Sequence, residues 1–379
     1  MRTVGRIRAN AFDKSLFFFI LFSEEAYLPA PFPYILHGER DVMYILKKRV
    51  LWFGQTLTPR YFFRRNQSGC IMRYAVSTVV DAIRAGTLPT VRAYLRAGGD
   101  PERRDEMGST LLHIAVLEGK LNIVSLLLRH GAQANATDAY GNTPMHIACL
   151  YGLKEIAELL LQYGADIDST SDLRPWTPLM LAVNENYTEM VEWLLTHGAN
   201  PNHVDVDQGW TPLLIACDLG LKDLTLQLLE RGVRVDVRVQ GGDARGRSAL
   251  HLASYYGEVE LVRALLQQGV DVNQQPEGGG LSALHWAVYN EHLDLIEFLL
   301  AQGADVNIRA SGLYQQRAPL HFAVAARSEH MAVMLLEVGA NPLQKDAEDQ
   351  SPLDIALMRY REGGAVVYER LWRLLESYI

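Results

Sequence analysis

Apolar residues in this chain of 379 residues come in pairs at a regular interval. Leu127-Leu128, Leu160-Leu161, Leu194-Leu195, Leu228-Leu229, Leu265-Leu266, Leu299-Leu300 and Leu335-Leu336 each stand just ahead of a glycine. Counted from Gly98, those glycines (Gly131, Gly164, Gly198, Gly232, Gly269, Gly303 and Gly339) are separated by 33, 33, 34, 34, 37, 34 and 36 residues. A second ladder runs in phase with the first: Thr110-Leu-Leu-His113, Thr143-Pro-Met-His146, Thr177-Pro-Leu-Met180, Thr211-Pro-Leu-Leu214, Ser248-Ala-Leu-His251, Ser282-Ala-Leu-His285, Ala318-Pro-Leu-His321 and Ser351-Pro-Leu-Asp354. Two ladders in step define a repeat of about 34 residues.

Each part of the unit predicts an element. A Thr or Ser hydroxyl caps the free amides of a helix start, and proline after it sits where a missing N–H costs nothing. A glycine some nine residues on, Gly119, Gly152, Gly220 and Gly257 in four units, ends that first short helix in a left-handed conformation. A second helix carries the Leu-Leu pair, and Gly-Ala-Asp or Gly-Ala-Asn stops it ahead of a polar turn such as Asp138-Ala-Tyr-Gly141. One unit therefore reads as helix, turn, helix, hairpin, and one unit cannot bury its apolar face alone.

On these motifs the chain resembles the ankyrin repeat proteins, whose signature is Thr-Pro-Leu-His-x-Ala at a period of 33. The resemblance covers residues 75 to 379 and implies an all-α ankyrin repeat solenoid, helix-turn-helix units joined by β-hairpin-like fingers. About nine units are expected, with an N-terminal cap at about 75–105, repeats at about 106–345 and a C-terminal cap at about 346–379. Met180, Leu214 and Asp354 stand where the family has histidine, so hydrogen bonds made there are absent or rebuilt in those units.

Composition narrows the function classes. The longest apolar run, Leu16 to Phe22, is seven residues, against the roughly 20 a membrane-spanning helix needs. The three cysteines, Cys70, Cys149 and Cys217, are too few and scattered for a disulfide scaffold or structural zinc, which favours a reducing compartment and a cytoplasmic location. Residues 1–71 carry 11 Lys+Arg against 5 Asp+Glu, net +6; residues 72–379 carry 25 against 39, net −14. The acidic part does not match a nucleic-acid backbone, and if its partner is charged it is expected to be basic. No membrane is expected among the partners, and the chain is read as a monomer.

No catalytic constellation emerges, so the chain is read as a non-enzyme with no cofactor and no metal. His113, His146, His251, His285 and His321 share one repeat position, a structural hydrogen-bonding role. His292 and His330 fall near the starts of second helices, a usual surface place in the family, without ligand partners at metal spacing. Gly278-Gly-Gly280 has no following Lys-Ser/Thr and reads as a hairpin tip rather than a phosphate loop.

The family's partners dock on the concave side, on finger tips and exposed first-helix residues. Carried over residue by residue, and with Asp207 taken from an acidic surround that includes Glu118 and Glu185, that surface comprises Tyr140, Tyr151, Trp176, Asp207, Trp210, Asp218, Arg247, Tyr255, Tyr256 and Tyr289. Met107 and Leu117 also fall on it. Tyr, Trp and Arg dominate interface hot spots, which points to a protein or peptide partner and to an adaptor or an inhibitor. Trp176 and Trp210, 34 residues apart, fit either exposed anchors or packing between fingers. At least one ring of Tyr255 and Tyr256 is expected to be exposed, whereas Trp193 and Trp286 belong to the core. Insertions at Val239–Arg245 and Ala310–Gln316 lengthen two fingers and form a second choice of contact surface.

Residues 1–71 form a basic, aromatic-rich N-terminal arm outside the array. It is read as disordered, as a membrane-surface or partner-binding segment, or as untranslated if synthesis starts at Met72. The alternative function is an exported or membrane-attached effector or immunity factor targeted by that arm. A native mass corresponding to residues 72–379 is the expected result if translation starts at Met72, and the full-length mass excludes that start.

Overall fold

The computed structural model describes residues 76–379 apart from Glu106, Asp243, Glu277, Gly278, Gly364 and Ala365. The arm at 1–71, the first glycine of the Gly278-Gly-Gly280 tip and one residue of the first finger insertion lie outside the described residues. Within them, eighteen α-helices follow one another as first and second helices of successive units. They are α1 (Val76–Arg84) and α2 (Leu88–Arg96), α3 (Leu111–Leu117) and α4 (Leu121–Arg129), α5 (Pro144–Leu150) and α6 (Lys154–Gln162), α7 (Pro178–Asn184) and α8 (Thr188–Thr196), and α9 (Pro212–Asp218) and α10 (Lys222–Glu230). The second half continues with α11 (Ala249–Tyr256) and α12 (Val259–Gln267), α13 (Ala283–Tyr289) and α14 (Leu293–Ala301), α15 (Pro319–Ala325) and α16 (Glu329–Glu337), and α17 (Pro352–Arg361) and α18 (Val366–Glu376). First helices pack on first helices and, less extensively, second on second.

The Leu-Leu ladder explains the stacking. Its leading member, from Leu127 through Leu160, Leu194, Leu228, Leu265 and Leu299 to Leu335, is fully buried in every unit. Burying one leucine contributes about 2 kcal/mol, and much of the surface that covers it comes from the neighbouring layers. The fingers are less regular than β-hairpins: among the described residues they contain no extended strand, only the isolated bridges Arg104–Thr110, Arg238–Ser248 and Ala310–Arg317. Side chains stitch them instead. The Asn135 amide donates to the Gly164 carbonyl at 2.8 Å while its oxygen accepts the Asp166 N–H at 2.7 Å, and Asn273 and Asn307 repeat this pattern in later layers.

The repeated histidines tie cap to layer. In His113 the ring Nδ1 accepts the Thr110 N–H at 3.3 Å and lies 2.8 Å from its hydroxyl, so the proton belongs on Nε2, which donates to the Asn142 carbonyl of the next layer at 2.9 Å. His146, His285 and His321 reach Trp176, Arg317 and Gln350 in the same way. His251 reaches the Gln274 carbonyl instead, at 3.1 Å. Met180 and Leu214 keep the threonine cap but make no such bond to the next layer, and Asp354 rebuilds only the cap, accepting from Ser351 N–H at 3.0 Å and its hydroxyl at 2.6 Å.

The mid-unit glycine slot is stricter in conformation than in residue type. Gly257 sits at φ 74°, and a Cβ there would meet the His292 ring at 2.5 Å. His292 is correspondingly not a free surface residue: it is half-buried and its Nε2 lies 2.9 Å from the Tyr255 carbonyl. Asn186, Glu291 and Arg327 occupy the same slot in other units at φ 58°, 59° and 59°.

Burial lowers the proton affinity of all five ladder histidines, to about 3 for His251 and about 4 for His285, so they fold neutral. The unfolded chain binds the extra protons, so their contribution is complete above pH 6.5 and is lost as the pH falls below it. At 1.36 kcal/mol per pK unit, His251 and His285 are each expected to remove about 2 kcal/mol of stability at pH 5. Denaturant melts at pH 7.5 and 5 check this, and a His285→Gln variant should show a shallower pH dependence. Left-handed backbone disfavours an ordinary residue by about 1 kcal/mol, so Glu291→Gly is expected to raise stability by that amount in the same assay.

Candidate functional site

Three successive first helices bring aromatic rings into one connected ladder. Trp286 follows His285 as Phe322 follows His321, so the two occupy one position in neighbouring layers, and Tyr289 lies three residues beyond Trp286 on the same helical face. The Tyr256 and Tyr255 rings meet edge to face at 5.1 Å, Tyr255 meets Trp286 at 5.4 Å, Trp286 meets Tyr289 at 6.1 Å, and Tyr289 meets Phe322 at 6.4 Å. Tyr314, from the lengthened finger, adds a tilted contact to Phe322 at 6.5 Å. Each edge-to-face pair contributes about 1 kcal/mol beyond its buried area, so the ladder holds a fixed shape. Burial raises the Tyr289 phenol above its usual proton affinity. Arg247, the last finger residue before the Ser248 cap, places its guanidinium carbon 4.7 Å over the Trp286 ring.

The structure places the sequence-predicted residues in several settings. Arg247, Tyr255, Tyr256 and Tyr289 converge on this ladder, all half-buried, and Asp218 joins them through its carbonyl, which accepts the Tyr256 hydroxyl at 2.5 Å. Trp210 is half-buried in an earlier layer with its indole N–H donated to Gln208 at 3.1 Å. Tyr151 is half-buried and Asp207 exposed. Trp176 is a correction: it is only 6% exposed, with Arg174 4.1 Å over its ring and its carbonyl taken by His146, so it packs between fingers and offers no exposed anchor. Trp193 and Trp286 are buried.

A second feature was picked out from the sequence only in part, at Met107 and Tyr140. Met107, Tyr140, Leu173 and Val206 recur every 33 residues at the finger tips and are 62%, 45%, 72% and 82% exposed. The turns themselves expel some of them. Asp105 accepts the N–H groups of Met107 and Ser109, and Asp138 those of Tyr140 and Asn142, so each tip backbone is satisfied by an aspartate and the residue two beyond it points away. Leu313, in the second insertion, is 96% exposed. The signal was available as the 33-residue spacing of Met107 and Tyr140, but Leu173 and Val206 have no aromatic character to mark them.

Among the described residues no group of His, Cys, Asp and Glu could hold a metal, and no helix is long and apolar enough to cross a membrane. Cys149 and Cys217 are buried free thiols, with burial pushing Cys217 up to about 12.

Comparison with known proteins agrees with this architecture. The family model described as ankyrin repeats in three copies matches residues 79–171, 168–240 and 234–310, and the single ankyrin repeat model matches 315–347. Ankyrin repeat domain-containing protein 29 of Danio rerio is 52% identical over 52 residues, which is 14% of this chain and 17% of that relative, so the likeness spans under a fifth of the relative's length. The family matches span well over half of the chain, which thus belongs to the ankyrin repeat family, whose repeats serve as protein-interaction modules.

Proposed function

We propose that the chain is a non-enzymatic adaptor or inhibitor that grips a protein or peptide along the concave side formed by its finger tips and first helices. The observation that carries this reading is the row of exposed apolar tips at Met107, Tyr140, Leu173 and Val206. Isolated apolar side chains on a surface need no explanation, but four at one repeat position in adjacent layers form a stripe that water does not favour. The aromatic ladder supports the same reading from the other end of the array, since rigid rings supply contact area with few rotors to freeze. Exposed Asp172 and Asp207 and half-buried Glu118 and Glu185 lie among these layers, and the net charge of −14 over residues 72–379 favours a segment with basic residues facing them. Two buried free thiols, Cys149 and Cys217, fit the reducing conditions of the cytoplasm.

The test starts from a partner captured on the full chain and then purified. Trp210→Ala is expected to weaken its binding by about 2 kcal/mol or more. The triple variant Tyr140→Ser, Leu173→Ser, Val206→Ser should lose at least as much while its melting changes by under about 0.5 kcal/mol, because these tips lie on the surface. Titration calorimetry and thermal melts read the two quantities, and undiminished affinity in the triple variant overturns the proposed surface.

A further inference from the structure

Several finger arginines in this array are committed. Arg104 donates to the carbonyls of Gly108 and Thr137, Arg238 donates to the Gln275 carbonyl at 2.5 Å, and Arg317, which occupies the same pre-cap position as Arg247, pairs with Asp346 at 3.1 Å. Arg247 differs. It is half-buried and lies over Trp286, yet its guanidinium has no hydrogen bond or ion pair with any described residue. A guanidinium resting on an indole has already lost much of its rotational freedom, and its five N–H donors form a planar fork matched to a carboxylate.

A second observation falls in the same cluster. Trp286 is 5% exposed, and its indole N–H finds no acceptor. A buried donor without a partner destabilises the fold, and such groups in a folded chain call for a reason. Around Trp286, whose ring meets those of Tyr255 and Tyr289 and lies under Arg247, the chain thus gathers a cation and a second donor with no acceptor for either among the described residues. A donor-only set walled by rings selects an anion attached to an apolar segment.

We propose that Arg247, held over Trp286 between Tyr255 and Tyr289, is the docking point for a carboxylate of the bound peptide, carried by an acidic side chain or by a chain terminus. This rests on the reading that the finger and first-helix surface binds a peptide, and it adds direction to it. The bound segment lies with its basic residues toward Glu118, Glu185 and Asp207 and its carboxylate toward α11 and α13.

Selection of random twelve-residue peptides displayed on phage, with the full chain as bait, tests the site. The expected peptides carry Asp or Glu, or a free terminal carboxylate, next to aromatic or aliphatic residues. Terminal amidation of the synthetic peptides separates the two sources: affinity persists if a side chain docks and falls if the terminus does. Binding should fall at least tenfold in Arg247→Gln and partly recover in Arg247→Lys. Selection on Arg247→Glu should replace the acidic residue with Lys or Arg. Thermal melts of each variant confirm that it is folded. Peptides that lose affinity in Tyr255→Ala and Tyr289→Ala but bind Arg247→Gln unchanged overturn the carboxylate site and leave the peptide-binding surface standing. Preference for a phosphorylated residue over Asp or Glu overturns it as well, and failure to enrich any peptide counts against both.

Discussion

No unit of this chain can bury its own apolar face, and the rest of the structure follows from that constraint. The leading leucine of every Leu-Leu pair is fully buried, and part of what covers it belongs to the layers on either side. Stability is thereby shared along the array. A residue that faces neither neighbour is free of the packing requirement, and fingers and the exposed ends of first helices are where such residues collect.

The polar groups are arranged to the same end. A neutral histidine caps its own helix with one ring nitrogen and donates to the next layer with the other, so a single side chain fixes both a helix start and the register of the following finger. Aspartates at the finger bends satisfy the tip amides locally, which lets Met107 and Tyr140 project without leaving backbone donors bare. Order in the fingers therefore does not depend on strand pairing, and the tips stay available for contact. The aromatic ladder from Tyr256 to Phe322 is built otherwise: its rings support one another edge to face, half in and half out of the stack.

Much of this was legible in the sequence because the repeat multiplies each signal. One Thr-Pro-Met-His146 motif is weak; eight in phase with a leucine ladder specify caps, helices and stacking. Reading failed where a neighbour's geometry decides. Trp176 and Trp210 hold equivalent positions, yet Arg174 closes over the first and leaves it in the core while the second is half-exposed. His292 looks like a surface residue until Gly257 of the preceding layer is seen to leave room for its ring. Glu291 and Arg327 show the reverse failure: the layer imposes a left-handed turn even where the sequence has no glycine to announce it. The bare donors of Arg247 and Trp286 have no sequence signature, since an absent acceptor is a property of three-dimensional surroundings.

The central claim is that stacking leaves the fingers and first helices as the gripping surface. Amide hydrogen exchange on the full chain with and without its captured partner tests this most directly. Slowed exchange confined to the fingers around Tyr140 and Val206 and to the ends of α11 and α13 is the predicted result. Slowed exchange confined to second helices such as α6, α8 and α10, with the fingers unchanged, would contradict it.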